Sequence, residues 1–138
     1  MSEIPLARPV LGEEEEQLVL EVLRSGHLSL GPRVPAFEEA LCSVTGARHA
    51  VAYSSGTAAL HGATLAAGLG PGDEAITTPM TFVATANSVL YTGAEVRFAD
   101  VAPGTLLIDP DLVGQAITTR TRAVLPVARR ERGRARWP

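Results

Sequence analysis

Residues 70–101 have the sequence GPGDEAITTPMTFVATANSVLYTGAEVRFADV, and this stretch decides the fold. Residues 74–78 and 95–101 are each predicted to form a strand, the second with Val96 and Phe98 on one face. Between them, residues 81–91 predict a helix that is closed by Gly93. Strands that alternate with helices favour a parallel sheet covered on both faces. The stretch therefore predicts an α/β fold.

The same alternation extends to both sides of this stretch. Further strands are predicted at 49–54 and 123–127, and further helices at 13–25, 34–44, 57–67 and 109–117. From this pattern we expect three segments. They are an N-terminal arm with helices at 1–48, an α/β domain at 49–127, and an irregular basic tail at 128–138.

The charges are unevenly placed, and all twelve positive ones are arginine. Residues 1–122 hold seven arginines and fourteen acidic residues, a net charge of −7, whereas 123–138 carry +4. A basic tail can bind nucleic acid, a frayed terminus is the plainer interpretation, and out-of-frame translation of a GC-rich gene would give the same composition. We favour the third, because the last predicted strand ends where a sheet should continue. The acidic body argues against a nucleic-acid partner.

The sequence also bears on where the protein works. No apolar run approaches the ~18 residues of a membrane span, and the start, MSEIPLARPVLGEEEE, lacks the features of a secretory signal. The single cysteine, Cys42, cannot form an internal disulfide. No basic residue flanks it, which favours a structural thiol over a nucleophile. We therefore expect a cytoplasmic protein without a membrane partner.

Residues 53–60, YSSGTAAL, join a predicted strand to a predicted helix through a tight turn. A helix N-terminus presents unpaired backbone N–H groups and a partial positive charge, which suits a phosphate. Gly56 would let the backbone approach an anion closely, and Thr57 would add a hydroxyl donor at the cap position. Such residues also form ordinary caps without a ligand. The local pattern leaves both interpretations open, and it is neither a Walker loop nor GxGxxG.

Residues 78–87, TPMTFVATAN, follow a predicted strand and lead into the next helix. In open α/β sheets, ligands bind beyond the carboxyl ends of the strands, which is where Phe82 lies. An aromatic ring there can stack on a planar ligand. Packing in the core is the alternative role for Phe82, and its position in the sequence does not decide between the two.

Three stretches together carry a resemblance: SGHLSLGPRVPAFEEAL at 25–41, SSGTAAL at 54–60, and residues 70–101. In order and spacing they resemble the DegT/DnrJ/StrS-type nucleotide-sugar aminotransferases, over about 4–127. The resemblance implies part of the large domain of an aspartate-aminotransferase-like fold, which binds pyridoxal 5′-phosphate. It further implies that Gly56 and Thr57, with Ser55 beside them, hold the cofactor phosphate, and that Phe82 stacks on the pyridine ring.

The resemblance also implies an enzyme. Such an enzyme would move an amino group from an amino acid, glutamate by resemblance, to a nucleotide-linked keto-sugar for a surface polysaccharide or a secondary metabolite. It would act as a homodimer, with residues 25–32 near the dimer interface or the sugar-nucleotide site.

One departure from the family bears directly on the chemistry. Members carry, after the fourth strand, an Asp that pairs with the pyridinium nitrogen and a Lys that forms the Schiff base. This chain has no lysine at all, and transamination needs that amine. We therefore expect an N-terminal fragment that is inactive alone and has no catalytic residue of its own. The alternative is a non-catalytic phosphate-binding or regulatory protein derived from the family.

The remaining polar residues predict little. His27, His49 and His61 are too scattered to suggest a metal site or a catalytic triad. Asp100 lies at the end of a predicted strand, where a cap or loop role is at least as common as a site role. We expect no metal.

Overall fold

The computed structural model describes residues 9–127, which divide into two compact units between Ala52 and Tyr53. The predicted basic tail at 128–138 and the first eight residues of the predicted arm lie outside the described residues.

The first unit contains two helices, α1 (Glu13–Ser25) and α2 (Arg33–Thr45), close to the predicted bounds. Acidic residues fill the first turn of α1, where the helix dipole favours them. The Gly12 N–H donates to the Glu15 carboxylate at 2.7 Å and thereby closes this helix start. Both helices end at a glycine in the left-handed region, Gly26 at φ 72° and Gly46 at φ 73°.

Neither helix of the first unit contains a fully buried residue. An ion pair between Glu21 and Arg33 joins the end of α1 to the start of α2, but both side chains stay about half exposed. Large apolar side chains such as Leu23 and Phe37 are likewise more than half exposed. This unit therefore has little core of its own.

The second unit contains helices that alternate with strands. Its elements in chain order are α3 (Gly56–Ala66), β1 (Glu74–Thr77), α4 (Ala84–Leu90), β2 (Glu95–Phe98), α5 (Pro110–Ala116) and β3 (Thr121–Leu125). The three strands are parallel and lie in the order β2-β1-β3. Every residue of the central strand β1 is buried. The α/β class with a parallel sheet is thus confirmed.

The core of this unit lies between the sheet and its helices. Leu69, Ala75, Val89 and Ala94 form the buried cluster, and Val96, Ala123 and Leu125 pack against it. Val89 comes from α4, and Leu69 comes from the turn between α3 and β1, so both pack on the strands at this cluster. Such close packing transmits small displacements between elements.

The predicted strand at 49–54 is wrong: these residues form no strand in the structure. A strand needs a neighbour to satisfy its backbone groups, and none of the described strands pairs with this segment. The Ala52 N–H instead donates to the Glu38 carboxylate at 2.7 Å. The backbone of this segment at Ala52 is thus bonded to a side chain of α2 and not to a strand.

The other differences are shifts of boundary. Helix α4 begins at Ala84, three residues later than predicted, because Pro79 ends β1 and the Thr78 hydroxyl accepts the Met80 N–H in a local turn. Strand β2 stops at Phe98, because its partner β1 ends at Thr77. Within residues 9–127, no helix is long and apolar enough to cross a membrane.

Candidate functional site

The predicted site residues fall near one edge of the sheet, where the three strands end. Helix α3 is followed by a short turn and then the start of β1, so its C-terminus lies at the amino end of the strands and its N-terminus at the carboxyl end. Helix α4 leaves the carboxyl end of β1 and runs back to the start of β2. The starts of α3 and α4 therefore face the same side, called here the carboxyl edge.

Side-chain contacts agree with this parallel arrangement of the two helices. Thr64 of α3 bonds to Ser88 of α4. Nearer the helix starts, Leu60 of α3 lines one groove of about 520 Å³ together with Thr81 and Thr85. The turn before α3 and the loop before α4 consequently lie at the same end of the helix layer.

The start of α3 carries free backbone donors. Ser55 is the N-cap: its hydroxyl accepts the Ala58 N–H at 3.1 Å, and its carbonyl accepts the Ala59 N–H at 3.0 Å. The N–H groups of Gly56 and Thr57 have no acceptor among the described residues. We call these two N–H groups the cradle. Together with the dipole of α3 they suit an anion.

Sequence analysis assigned the cap position to Thr57, and this was wrong. Ser55 occupies that position, and Thr57 is the second residue of the helix. The difference leaves Thr57 with a hydroxyl that makes no hydrogen bond within residues 9–127. The Ser55 hydroxyl accepts one bond and retains its own proton for donation.

Gly56 is not required by the fold around it. Its φ is not in the left-handed region, and a Cβ built on it would meet no atom within 4 Å. A side chain at this position would occupy space that no described residue fills. A glycine that the fold does not need is typical of a position where the backbone approaches a ligand closely.

Phe82 lies in the loop between β1 and α4 with 76% of its surface exposed. It is more exposed than Phe37 and Phe98, each at 55%. The core-packing role considered for Phe82 is therefore not the one the structure shows. The Phe82 carbonyl accepts the Thr85 N–H at 3.0 Å, which fixes the loop to the start of α4 while the ring faces outward.

A chain of hydroxyl groups links α3 to this loop, and sequence analysis missed it. Thr64 bonds to the Ser88 carbonyl at 2.9 Å, and the Ser88 hydroxyl bonds to the Thr85 carbonyl at 2.8 Å. The Thr85 and Thr81 hydroxyls lie 2.9 Å apart, and Thr81 directly precedes Phe82. The sequence carries no signal for this chain of contacts, because Thr64 and Ser88 are 24 positions apart and meet only in the folded structure.

The opposite, amino edge of the sheet holds a charge cluster that sequence analysis also missed. Glu74 is buried, and its carboxylate receives the Thr118 hydroxyl at 2.6 Å and the Arg120 guanidinium at 2.5 Å. Arg120 also binds both carboxylate oxygens of Glu95. Hydrogen bonding to Arg120 is the main cause that lowers the pKa of Glu95, and the positive charge of Arg120 is the second. The cluster lies away from the cradle and ties the strand starts together.

The remaining candidates do not assemble into a site. Within residues 9–127, no group of His, Cys, Asp and Glu is suited to hold a metal ion. The His61 ring stacks edge-on against Tyr91 at 5.3 Å. The Asp100 carboxylate accepts the Val101 N–H at 2.7 Å, and the Asp100 carbonyl accepts the Asp109 N–H. Asp100 thus has the loop role.

Free N–H groups at the start of α3 and an exposed aromatic ring before α4 agree with the outcome of comparison with known proteins. The DegT/DnrJ/EryC1/StrS aminotransferase family matches residues 9–130. The chain belongs to this family. The resemblance given by the sequence motifs is thereby confirmed.

Known relatives agree with this assignment. The spore coat polysaccharide biosynthesis protein SpsC of Bacillus subtilis is 52% identical over 124 residues, which are 90% of this chain and 32% of SpsC. Spr1654 of Streptococcus pneumoniae, described as a sugar aminotransferase and solved in its PMP form, superposes with a TM-score of 0.86 at 34% identity. That match covers 91% of this chain and 32% of Spr1654. NtdA of Bacillus subtilis, solved with bound PMP, gives 0.77 at 39% identity, over 84% and 28%. The chain thus spans about a third of the length of these relatives.

Proposed function

We propose that this chain supplies the phosphate cradle and ring-stacking residue of a pyridoxal-phosphate-dependent aminotransferase that acts on nucleotide-linked keto-sugars. The observation that carries the proposal is the pair of free N–H groups at Gly56 and Thr57. Gly56 also leaves open space where another residue would have its Cβ. Family membership and the sugar aminotransferases among the similar structures support it.

The residues at the carboxyl edge fit pyridoxal 5′-phosphate. The cradle would hold the phosphate by two backbone N–H groups, and the Ser55 and Thr57 hydroxyls would donate to it. The exposed face of Phe82 would stack on the pyridine ring and keep water from that side. When bound, the cofactor supplies the electron sink for moving an amino group.

What this chain contributes to the reaction is binding and orientation. It contains no lysine, so the amine that transfers protons and carries the cofactor must come from polypeptide outside this sequence. We propose that the chain alone does not transaminate. The whole enzyme, working in the cytoplasm as a homodimer, would take the amino group from an amino acid such as glutamate.

The absence of lysine also favours a second candidate function, a non-catalytic binding or regulatory protein derived from the family. Both candidates require the same cradle. They differ in whether polypeptide outside this chain restores transfer of the amino group.

The proposal can be tested by titrating the 138-residue chain with pyridoxamine 5′-phosphate and following backbone amides and aromatic protons by NMR. This ligand has the phosphate and the ring but no aldehyde, so it cannot react with the chain's terminal amine. We expect the Gly56 and Thr57 amides and the Phe82 ring protons to shift first. If only amides at 129–136 shift, the ligand binds the basic tail and the proposal is wrong.

A further inference from the structure

We infer that Thr64 is a positioning residue for the proposed site, because its buried hydroxyl fixes the distance between the cradle and Phe82. The inference rests on the proposed function, in which one ligand must touch both. Thr64 is only 4% exposed and lies in the last turn of α3, away from the cradle itself.

The hydrogen bonds of Thr64 point to this role. Its hydroxyl lies 2.9 Å from the His61 carbonyl in its own helix, the usual partner of a helical threonine. It also lies 2.9 Å from the Ser88 carbonyl in the last turn of α4, where helix carbonyls lack a backbone partner. Among the described residues, this is the hydrogen bond that joins α3 to α4.

From Ser88 the connection continues to the loop that carries Phe82. The Ser88 hydroxyl is fully buried and bonds to Thr85, whose hydroxyl bonds to that of Thr81, the residue before Phe82. The cradle belongs to α3 and the ring belongs to the start of α4. Any slide of one helix along the other therefore changes the separation between them.

The structure also explains why losing the Thr64–Ser88 hydrogen bond would affect some ligands and not others. The cradle is formed within α3 by the Ser55 cap alone. A small anion that touches only Gly56 and Thr57 does not sense where α4 lies. A ligand with both a phosphate and a ring does sense it, because its own length is fixed.

The test compares inorganic phosphate with pyridoxamine 5′-phosphate on the 138-residue chain carrying Thr64→Val, which keeps the shape and removes the hydroxyl. We expect Thr64→Val to weaken pyridoxamine 5′-phosphate roughly fivefold, the scale of one net hydrogen bond, and to leave phosphate binding unchanged. Thr64→Ser should restore both affinities. Thr92→Val is the matched control, since the Thr92 hydroxyl bonds locally to the Val89 carbonyl and joins no second helix.

The outcomes separate this inference from the proposed function. If pyridoxamine 5′-phosphate fails to shift the cradle amides of the unmodified chain, the proposed function itself fails. If the unmodified chain binds it but Thr64→Val weakens both ligands equally or neither, Thr64 has only a structural role and the inference is overturned. Should Thr64→Val not fold, Thr64→Cys, a weaker donor of similar size, must show the same selective loss to a smaller degree.

Discussion

The Arg120 guanidinium lies 2.5 Å from a carboxylate oxygen of Glu74, whose side chain is 1% exposed. Glu74 begins the central strand, and its strand neighbours are Glu95 on one side and Thr121 on the other. A buried carboxylate at this position needs its cationic partner, because desolvation penalises an unpaired charge heavily. Arg97 lies further away, at 3.6 Å, and compensates only in part.

We therefore predict that Arg120→Met lowers the free energy of unfolding by clearly more than Arg122→Met does, because it leaves the buried Glu74 carboxylate without its nearest cation. Urea denaturation followed by circular dichroism measures this change. The control is Arg122→Met, since the Arg122–Asp73 pair is exposed and should contribute less than about 1 kcal/mol. Glu74→Gln added to Arg120→Met should recover part of the loss. Equal effects of the two arginine substitutions would contradict the prediction.

A second prediction concerns pH and the exposed partner of Arg120. The hydrogen bond and charge of Arg120 lower the pKa of Glu95 below its ordinary value of 4.5. A carboxyl group with a lowered pKa stabilises the fold above its unfolded pKa, and this contribution is lost as the pH falls through the folded pKa. The melting temperature should therefore fall less steeply between pH 5 and about 2.5 for Glu95→Gln than for the unmodified chain. Identical slopes would show that the pair does not form.

Much of the fold could be predicted because its causes are local. The acidic first turn of α1 and Gly26 mark that helix at both ends, and Asp109 caps α5 through its side chain, as its sequence suggests. The segment 49–54 could not be assigned in this way. An apolar run becomes a strand only when a neighbour pairs with it, and that depends on distant residues.

The site was predictable to a different degree in its two parts. The cradle could be located, because a serine-glycine-threonine turn before a helix leaves free N–H groups whatever the surroundings. The roles of Thr64 and Glu74 could not, because each depends on a contact between elements: Ser88 lies 24 positions from Thr64, and Thr118 lies 44 positions from Glu74. Neither spacing leaves a mark in the sequence.

A third prediction tests the open space at Gly56. Gly56→Ala should leave the unfolding free energy unchanged or slightly higher, because alanine favours a helix and its Cβ meets nothing. The same substitution should weaken binding of pyridoxamine 5′-phosphate at least tenfold by intruding on the phosphate. Gly114→Ala is the matched control, another helical glycine with open space, and should leave binding unchanged. If Gly56→Ala binds pyridoxamine 5′-phosphate as tightly as the unmodified chain does, the phosphate does not bind at this turn.

A fourth prediction follows from the composition of the chain. Without lysine, no internal side chain can hold pyridoxal 5′-phosphate through a reducible imine. After the terminal amine is acetylated, incubation with the cofactor and borohydride should add no mass to the protein. The unacetylated chain serves as the positive control, with label only on its first residue. A labelled internal peptide would show another nucleophile at work.

The last prediction concerns the free edge of β3, one of the two edge strands of the described sheet. Strand β3 pairs with β1 along one side, and no described strand pairs with the other. Beside it lies the apolar groove of about 520 Å³, and Val124 is 41% exposed. An unpaired apolar edge of this kind is a template for a second chain. We therefore expect the chain to self-associate as its concentration rises.

Lysine on an edge strand opposes such pairing, because association would bury its charge. Val124→Lys should therefore shift the onset of association to at least a severalfold higher protein concentration in sedimentation velocity. Val44→Lys is the control, because Val44 is 85% exposed but lies on α2, not on a strand. If both substitutions suppress association equally, general apolar exposure drives it and the edge of β3 has no special part. If only Val124→Lys suppresses association, the association depends on the unpaired edge of β3.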